Sequence, residues 1–253
     1  MILHTDITGQ GTPLLLIHGL FGSNENLGMI ARLLASQFRV INVDLRNHGR
    51  SGHSNELSYA LMAQDLIETM DALQIPAAAV LGHSMGGKAA MQLALSQPDR
   101  VSKLVLADIS PVVSQARHVG ILEALNRVEL ASLTDRKQAD AQLQTAISDA
   151  GTRAFLLKSL VKGEHGFQWR FNLAALTAQY QQVLATPSAT GPYSGPTLFI
   201  KGGNSDYLQP EHQAYIRQLF PEVKAKIIEG TGHWLHAEKP AAFAKITADF
   251  LLS

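Results

Sequence analysis

The sequence contains no cysteine. That excludes disulfides, a thiolate nucleophile and any cysteine-ligated zinc or iron–sulfur site. It carries no net charge either, since 21 Lys and Arg balance 21 Asp and Glu. Nucleic-acid binders neutralise phosphates with a basic surface, so this balance argues against one. Charged residues are scarce at 17%, against roughly 25% in an ordinary soluble domain. No apolar run approaches the ~18 residues of a membrane-spanning helix, and no membrane span is expected. Residues 1–6 lack the basic start and apolar stretch of a secretory signal, which makes the expectation a cytoplasmic protein.

What is present is a hydrophobic content of 46% in 253 residues. That is enough for a large core and too apolar for a disordered chain. The length suits one α/β domain with an insertion. Short apolar runs at 14–17, 39–43, 78–81, 104–107, 197–200 and 225–228 read as strands buried on both faces, as in a parallel sheet. Helical patterns at 27–36, 58–73, 86–97, 210–220 and 238–252 lie between them. The alternation predicts a doubly wound α/β sheet.

One stretch breaks the alternation. Across residues 110–191 no strand is expected, only helical patterns such as 119–125 and 135–147, and then a breaker-rich end at 186–192. An insertion there would sit over the carboxyl ends of the strands, where open α/β sheets bind ligands. The expected organisation is a core of 1–109 and 192–253 with a helical cap of 110–191.

The chemistry centres on Gly82-His83-Ser84-Met85-Gly86-Gly87. It has the G-x-S-x-G form, follows a strand and opens a helix, which is the setting of a nucleophile elbow. The strained turn needs small residues on either side of the serine, and Gly82 and Gly86 supply them. The helix N-terminus favours developing negative charge. A serine hydroxyl needs a base. His233, in Gly230-Thr231-Gly232-His233-Trp234, follows the last strand and completes the chain order Ser…acid…His, with His236 as its neighbouring competitor. Asp108 and Asp206 both end strands used for the acid, and Ser205 competes with Asp206 for the position after the late strand. The loop His18-Gly19-Leu20-Phe21-Gly22 offers a backbone N–H that pairs with that of Met85 in an oxyanion hole; Leu20 is the expected donor and Phe21 the runner-up. Asp44-Leu45-Arg46-Asn47-His48-Gly49 reads as a buried polar turn rather than an anion site, because buried polar groups need partners. Arg117, His118, Arg127, Arg136 and Lys137 are candidates for a basic patch over the mouth of the site, with a solvated helix face as the plainer reading.

These motifs together resemble the α/β-hydrolase superfamily over nearly the whole chain. Within it, Asp44 to Gly49, Gly82 to Lys88, Ala107-Asp108-Ile109-Ser110-Pro111, Gly202-Gly203-Asn204-Ser205 and Gly232-His233-Trp234 resemble the YbfF-like esterases. The resemblance implies an α/β-hydrolase fold, with a mostly parallel central sheet flanked by helices and a small helical cap inserted after the sixth strand. It implies hydrolysis of small-molecule acyl esters or acyl-CoA thioesters. It also implies Ser84, Asp108 and His233 as the triad, Ser205 near the histidine, and Asp206 as a peculiarity of this chain. The expected enzyme is a serine hydrolase that uses neither metal nor cofactor. A perhydrolase or haloperoxidase and a carbon–carbon bond hydrolase share the triad. A ligand receptor on the same scaffold usually lacks a triad member, and none is missing here.

Overall fold

Leucine and β-branched residues bounded by turn formers pack best on a pleated surface, and the apolar runs accordingly form strands. The computed structural model describes residues 1–164 and 166–253. In chain order the elements are β1 (Thr5–Thr8), β2 (Thr12–Ile17), α1 (Gly28–Leu34), β3 (Phe38–Val43), α2 (Tyr59–Ala72), β4 (Ala78–His83), α3 (Met85–Ser96) and β5 (Val101–Ala107). There follow α4 (Val119–Arg127), α5 (Arg136–Gln144), α6 (Ala150–Leu157), β6 (Leu160–Gly163), β7 (Gly166–Trp169), α7 (Leu173–Ala178) and α8 (Tyr180–Leu184). The chain closes with β8 (Thr197–Gly202), α9 (Gln213–Leu219), β9 (Val223–Ile228), α10 (Leu235–Glu238) and α11 (Pro240–Leu252).

Among the described residues, seven strands form one sheet in the order β1-β3-β2-β4-β5-β8-β9. Only β1 runs antiparallel to its neighbour. Successive strand side chains point to opposite faces. Leu15 and Ile17 join the core under α2 and α3, whereas Leu14 and Leu16 join the core under α1 and α11. The parallel pairing brings the carboxyl ends of β2, β4, β5, β8 and β9 to one edge of the sheet.

Three expectations need correction. Five strands precede the insertion along this chain, not six, because β1 alone stands ahead of the parallel set. The insertion is not purely helical: β6 and β7 form an antiparallel hairpin, too short at four residues each to show a sequence period. The run at 225–228 belongs to β9, which is the sheet edge and is mostly exposed rather than buried on both faces. Lys224 and Lys226 suit that edge, since charge there discourages pairing with another chain.

The helix that follows Ser84 also grips the insertion. Lys88 is buried, and its ammonium donates to Val112 O at 2.8 Å, Leu184 O at 3.1 Å and Ala185 O at 2.7 Å. One turn on, Gln92 exchanges hydrogen bonds with Ser188. All three ammonium donors are thus spent on the two ends of the inserted segment.

Candidate active site

Ser84 sits between β4 and α3 with φ 54° and ψ −123°. A left-handed non-glycine residue persists only where its surroundings hold it. Here Ser84 N–H donates to Ala107 O at 3.1 Å, and Ser84 O accepts from Gly87 at 2.8 Å and Lys88 at 3.2 Å. The flanking glycines are required by space. A Cβ on Gly82 would lie 2.3 Å from Gly86 O, and one on Gly86 would lie 2.3 Å from His18 O.

Adjacent strands deliver the partners. Register pairs His83 with Ala107, so the next residues, Ser84 and Asp108, emerge side by side. His233 follows β9. Its Nδ1 lies 2.7 Å from Asp108 Oδ2, and its Nε2 lies 3.0 Å from Ser84 Oγ. An ionised carboxylate only accepts. Nδ1–H therefore donates to Asp108, which leaves Nε2 free to accept the serine proton. Asp108 is fully buried. It also accepts from Gly202 N–H at 3.0 Å and from the Ser205 hydroxyl, so the desolvated charge has three donors.

The other sequence candidates separate clearly. Asp206 is exposed and forms a two-pronged ion pair with Arg117, at 2.5 and 2.8 Å, away from His233. His236 is buried beside the site, its ring 4.3 Å from that of His83. Burial pushes its imidazole down to about 4. His83 Nε2–H donates to His233 O at 2.8 Å and braces the loop that carries His233. The five basic candidates do not converge. Arg127 pairs with Glu123, Arg136 donates to Leu160 O, and only Arg117 and His118 of the five line the cavity.

The cavity over Ser84 measures about 670 Å³ and is lined by Leu20, Ile121, Phe155, Leu156 and Trp234 among others. That size falls in the range of small-molecule sites. Leu20 and Met85 N–H have no acceptor among the described residues, whereas Phe21 N–H donates to His48. The segment from Asp44 to Gly49 is the buried polar turn expected. Asp44 accepts from Asn24 and Arg50 N–H, and Arg46 is bidentate to Asp65 at 2.6 and 2.9 Å.

Two features escape sequence reasoning. Tyr207 stacks on His233 with ring centroids 3.7 Å apart and planes 14° apart, and Arg117 lies 4.6 Å above the other face of Tyr207. No motif marks that tyrosine; only its place just after the late strand points toward the site.

A model of the alpha/beta hydrolase family matches residues 14–246. The chain is 43% identical to the sn-1-specific diacylglycerol lipase ABHD11 of Mus musculus, over 93% of this chain and 79% of that protein. It is also 43% identical to esterase YbfF of Escherichia coli K12, over 96% of this chain and 94% of that one. A solved marine microorganism esterase superposes with a TM-score of 0.96 at 35% identity, covering 98% of this chain and 99% of the other.

Proposed function

The chain belongs to the alpha/beta hydrolase family and is a serine ester hydrolase; on that footing we propose that it cleaves acyl esters through Ser84, His233 and Asp108 by way of an acyl-enzyme. The observation that carries this reading is the unbroken chain Ser84 Oγ, His233 Nε2, His233 Nδ1, Asp108 Oδ2, at 3.0 and 2.7 Å. Ser84 attacks the ester carbonyl as His233 Nε2 takes its proton. Asp108 holds the tautomer and stabilises the imidazolium. The N–H groups of Leu20 and Met85 receive the developing oxyanion, aided by the N-terminus of α3. His233 returns the proton to the leaving alcohol. Water then enters, gives its proton to His233 and releases the acid and Ser84.

The insertion 110–191 acts as the cap that shapes the acyl pocket. Its apolar wall of Ile121, Phe155 and Leu156 suits an aliphatic acyl chain. Thioesters fit the same chemistry, but among the described residues the Lys and Arg side chains lining the cavity are only Lys158 and Arg117, and Arg117 is paired with Asp206, which is little positive charge to favour an anionic leaving group such as coenzyme A. Oxygen esters are therefore the favoured class, and a cytoplasmic setting is part of the same proposal. Replacing Ser84 with Ala is expected to lower turnover of p-nitrophenyl acyl esters by about 10⁴-fold or more. Turnover within ten-fold of the parent would overturn the reading.

A further inference from the structure

The oxyanion loop offers two consecutive amides, Leu20 and Phe21, and the fold selects between them. On the Gly19–Leu20 peptide, the carbonyl is held by His18 Nδ1–H at 2.7 Å and by Gly22 N–H at 3.1 Å. The C=O and N–H of a trans peptide point in opposite directions. Leu20 N–H is thereby turned away from His18 and toward the cavity that Leu20 shares with Ser84. The following peptide turns the other way. Phe21 has φ 61°, its N–H donates to His48 Nε2 at 3.3 Å, and its carbonyl accepts from Ser159 Oγ at 3.1 Å.

His48 can play only one part in this contact. It is fully buried, and its Nδ1–H is committed to Arg46 O at 2.9 Å. A neutral imidazole has one donor and one acceptor, so Nε2 must accept. Burial, with His18 beside it, pushes the ring down to about 3, which keeps it an acceptor at any working pH. The buried polar turn that presents it has Asn47 in the left-handed region, at φ 64°. The position is thus built into the core rather than resting on a mobile side chain.

We propose that His48 is a positioning residue for the oxyanion hole: by accepting the Phe21 N–H it holds the loop in the register where Leu20 presents its amide to the substrate oxygen. Without that acceptor the Phe21 N–H is a buried orphan. The loop then gains by relaxing from its left-handed turn and drawing Leu20 off target. The inference rests on the reading of Ser84 as nucleophile and of Leu20 and Met85 as donors.

The test uses p-nitrophenyl butyrate, with active sites counted by burst titration. His48→Leu removes the acceptor, and His48→Gln supplies an amide oxygen in its place. His48→Leu is expected to lower kcat per titrated site by about 10- to 100-fold, with KM within about three-fold. Affinity for butylboronic acid, whose tetrahedral adduct uses the same donors, should fall in step. His48→Gln should recover most of both losses. A merely structural role would reduce the amount of titratable enzyme and leave kcat per site and boronate affinity unchanged, which overturns the proposal. If His48→Leu does not fold, side-chain ¹⁵N spectra of the unaltered chain decide: an unprotonated Nε2 coupled to the Phe21 amide supports it, and a protonated Nε2 overturns it. Turnover retained in Ser84→Ala overturns the nucleophile reading and this inference together. An inactive Ser84→Ala beside full kcat in His48→Leu overturns this inference alone.

Discussion

Asp108 and Asp206 differ in what surrounds them rather than in what they are. The first is buried with three donors, and the second is exposed and paired with Arg117. Asp108→Asn should lower kcat/KM by about 10³- to 10⁴-fold, because the amide no longer fixes the histidine tautomer. Asp206→Asn should change it by less than about ten-fold. Steady-state assays on the two variants at matched stability check this, and a larger loss in Asp206→Asn would reverse the assignment. Ser84 stood out in the sequence as the candidate nucleophile because its strained turn demands glycine at fixed offsets, and those demands are local. The proposed acid was not fixed by spacing. It depends on which strand lies next to β4, and that pairing joins residues with a whole helix between them. Tyr207 left no local signature, and the motif from Asp44 to Gly49 marked His48 only as part of a buried turn, because their contacts with His233 and Phe21 join residues distant in the chain.

Helix α3 links the candidate nucleophile to the inserted segment 110–191. Ser84 is its N-cap, and four residues on the buried Lys88 is held against the carbonyls at both ends of residues 110–191. Desolvation pushes the Lys88 ammonium down to about 7, where it meets three carbonyl acceptors and the Tyr59 ring. Lys88→Met keeps the stem and orphans those carbonyls. It should cost on the order of 2–4 kcal/mol, read as a lower urea midpoint, and should raise KM for long acyl esters more than for acetate. An unchanged midpoint would remove the clasp from the account. The central strands and helices α1, α2, α3, α9 and α11 followed from the alternation of mainly apolar runs with helical patterns. Strand β1 and the hairpin β6–β7 did not. At four residues each, with at most one fully buried side chain apiece, they owe their form to partners already in place.

At the scale of the whole molecule, stability depends on imidazoles kept neutral. Burial pushes His18, His48 and His236 down to about 4, 3 and 4, whereas an unfolded histidine titrates near 6.5. Below about pH 6.5 the unfolded chain therefore binds more protons than the folded one, and stability falls as pH falls. The Tm should drop steadily from about pH 6.5 toward 4, a loss of several kcal/mol in sum, and the lowered Lys88 ammonium should make it rise further with pH above about 7. A Tm that stays level to pH 5 would contradict neutral burial of these rings. Fold class was readable from the alternation of strand and helix alone. Sheet order and the antiparallel run of β1 in the seven-stranded sheet were not, because register is decided between strands. The central claim is that an acyl group passes through Ser84. It is tested most directly by intact-mass and peptide-mass analysis of the chain quenched in acid during turnover of p-nitrophenyl butyrate. The account predicts a butyryl mass increment confined to the peptide containing Ser84 and absent from Ser84→Ala. An increment on another residue, or one that persists in Ser84→Ala, would contradict it.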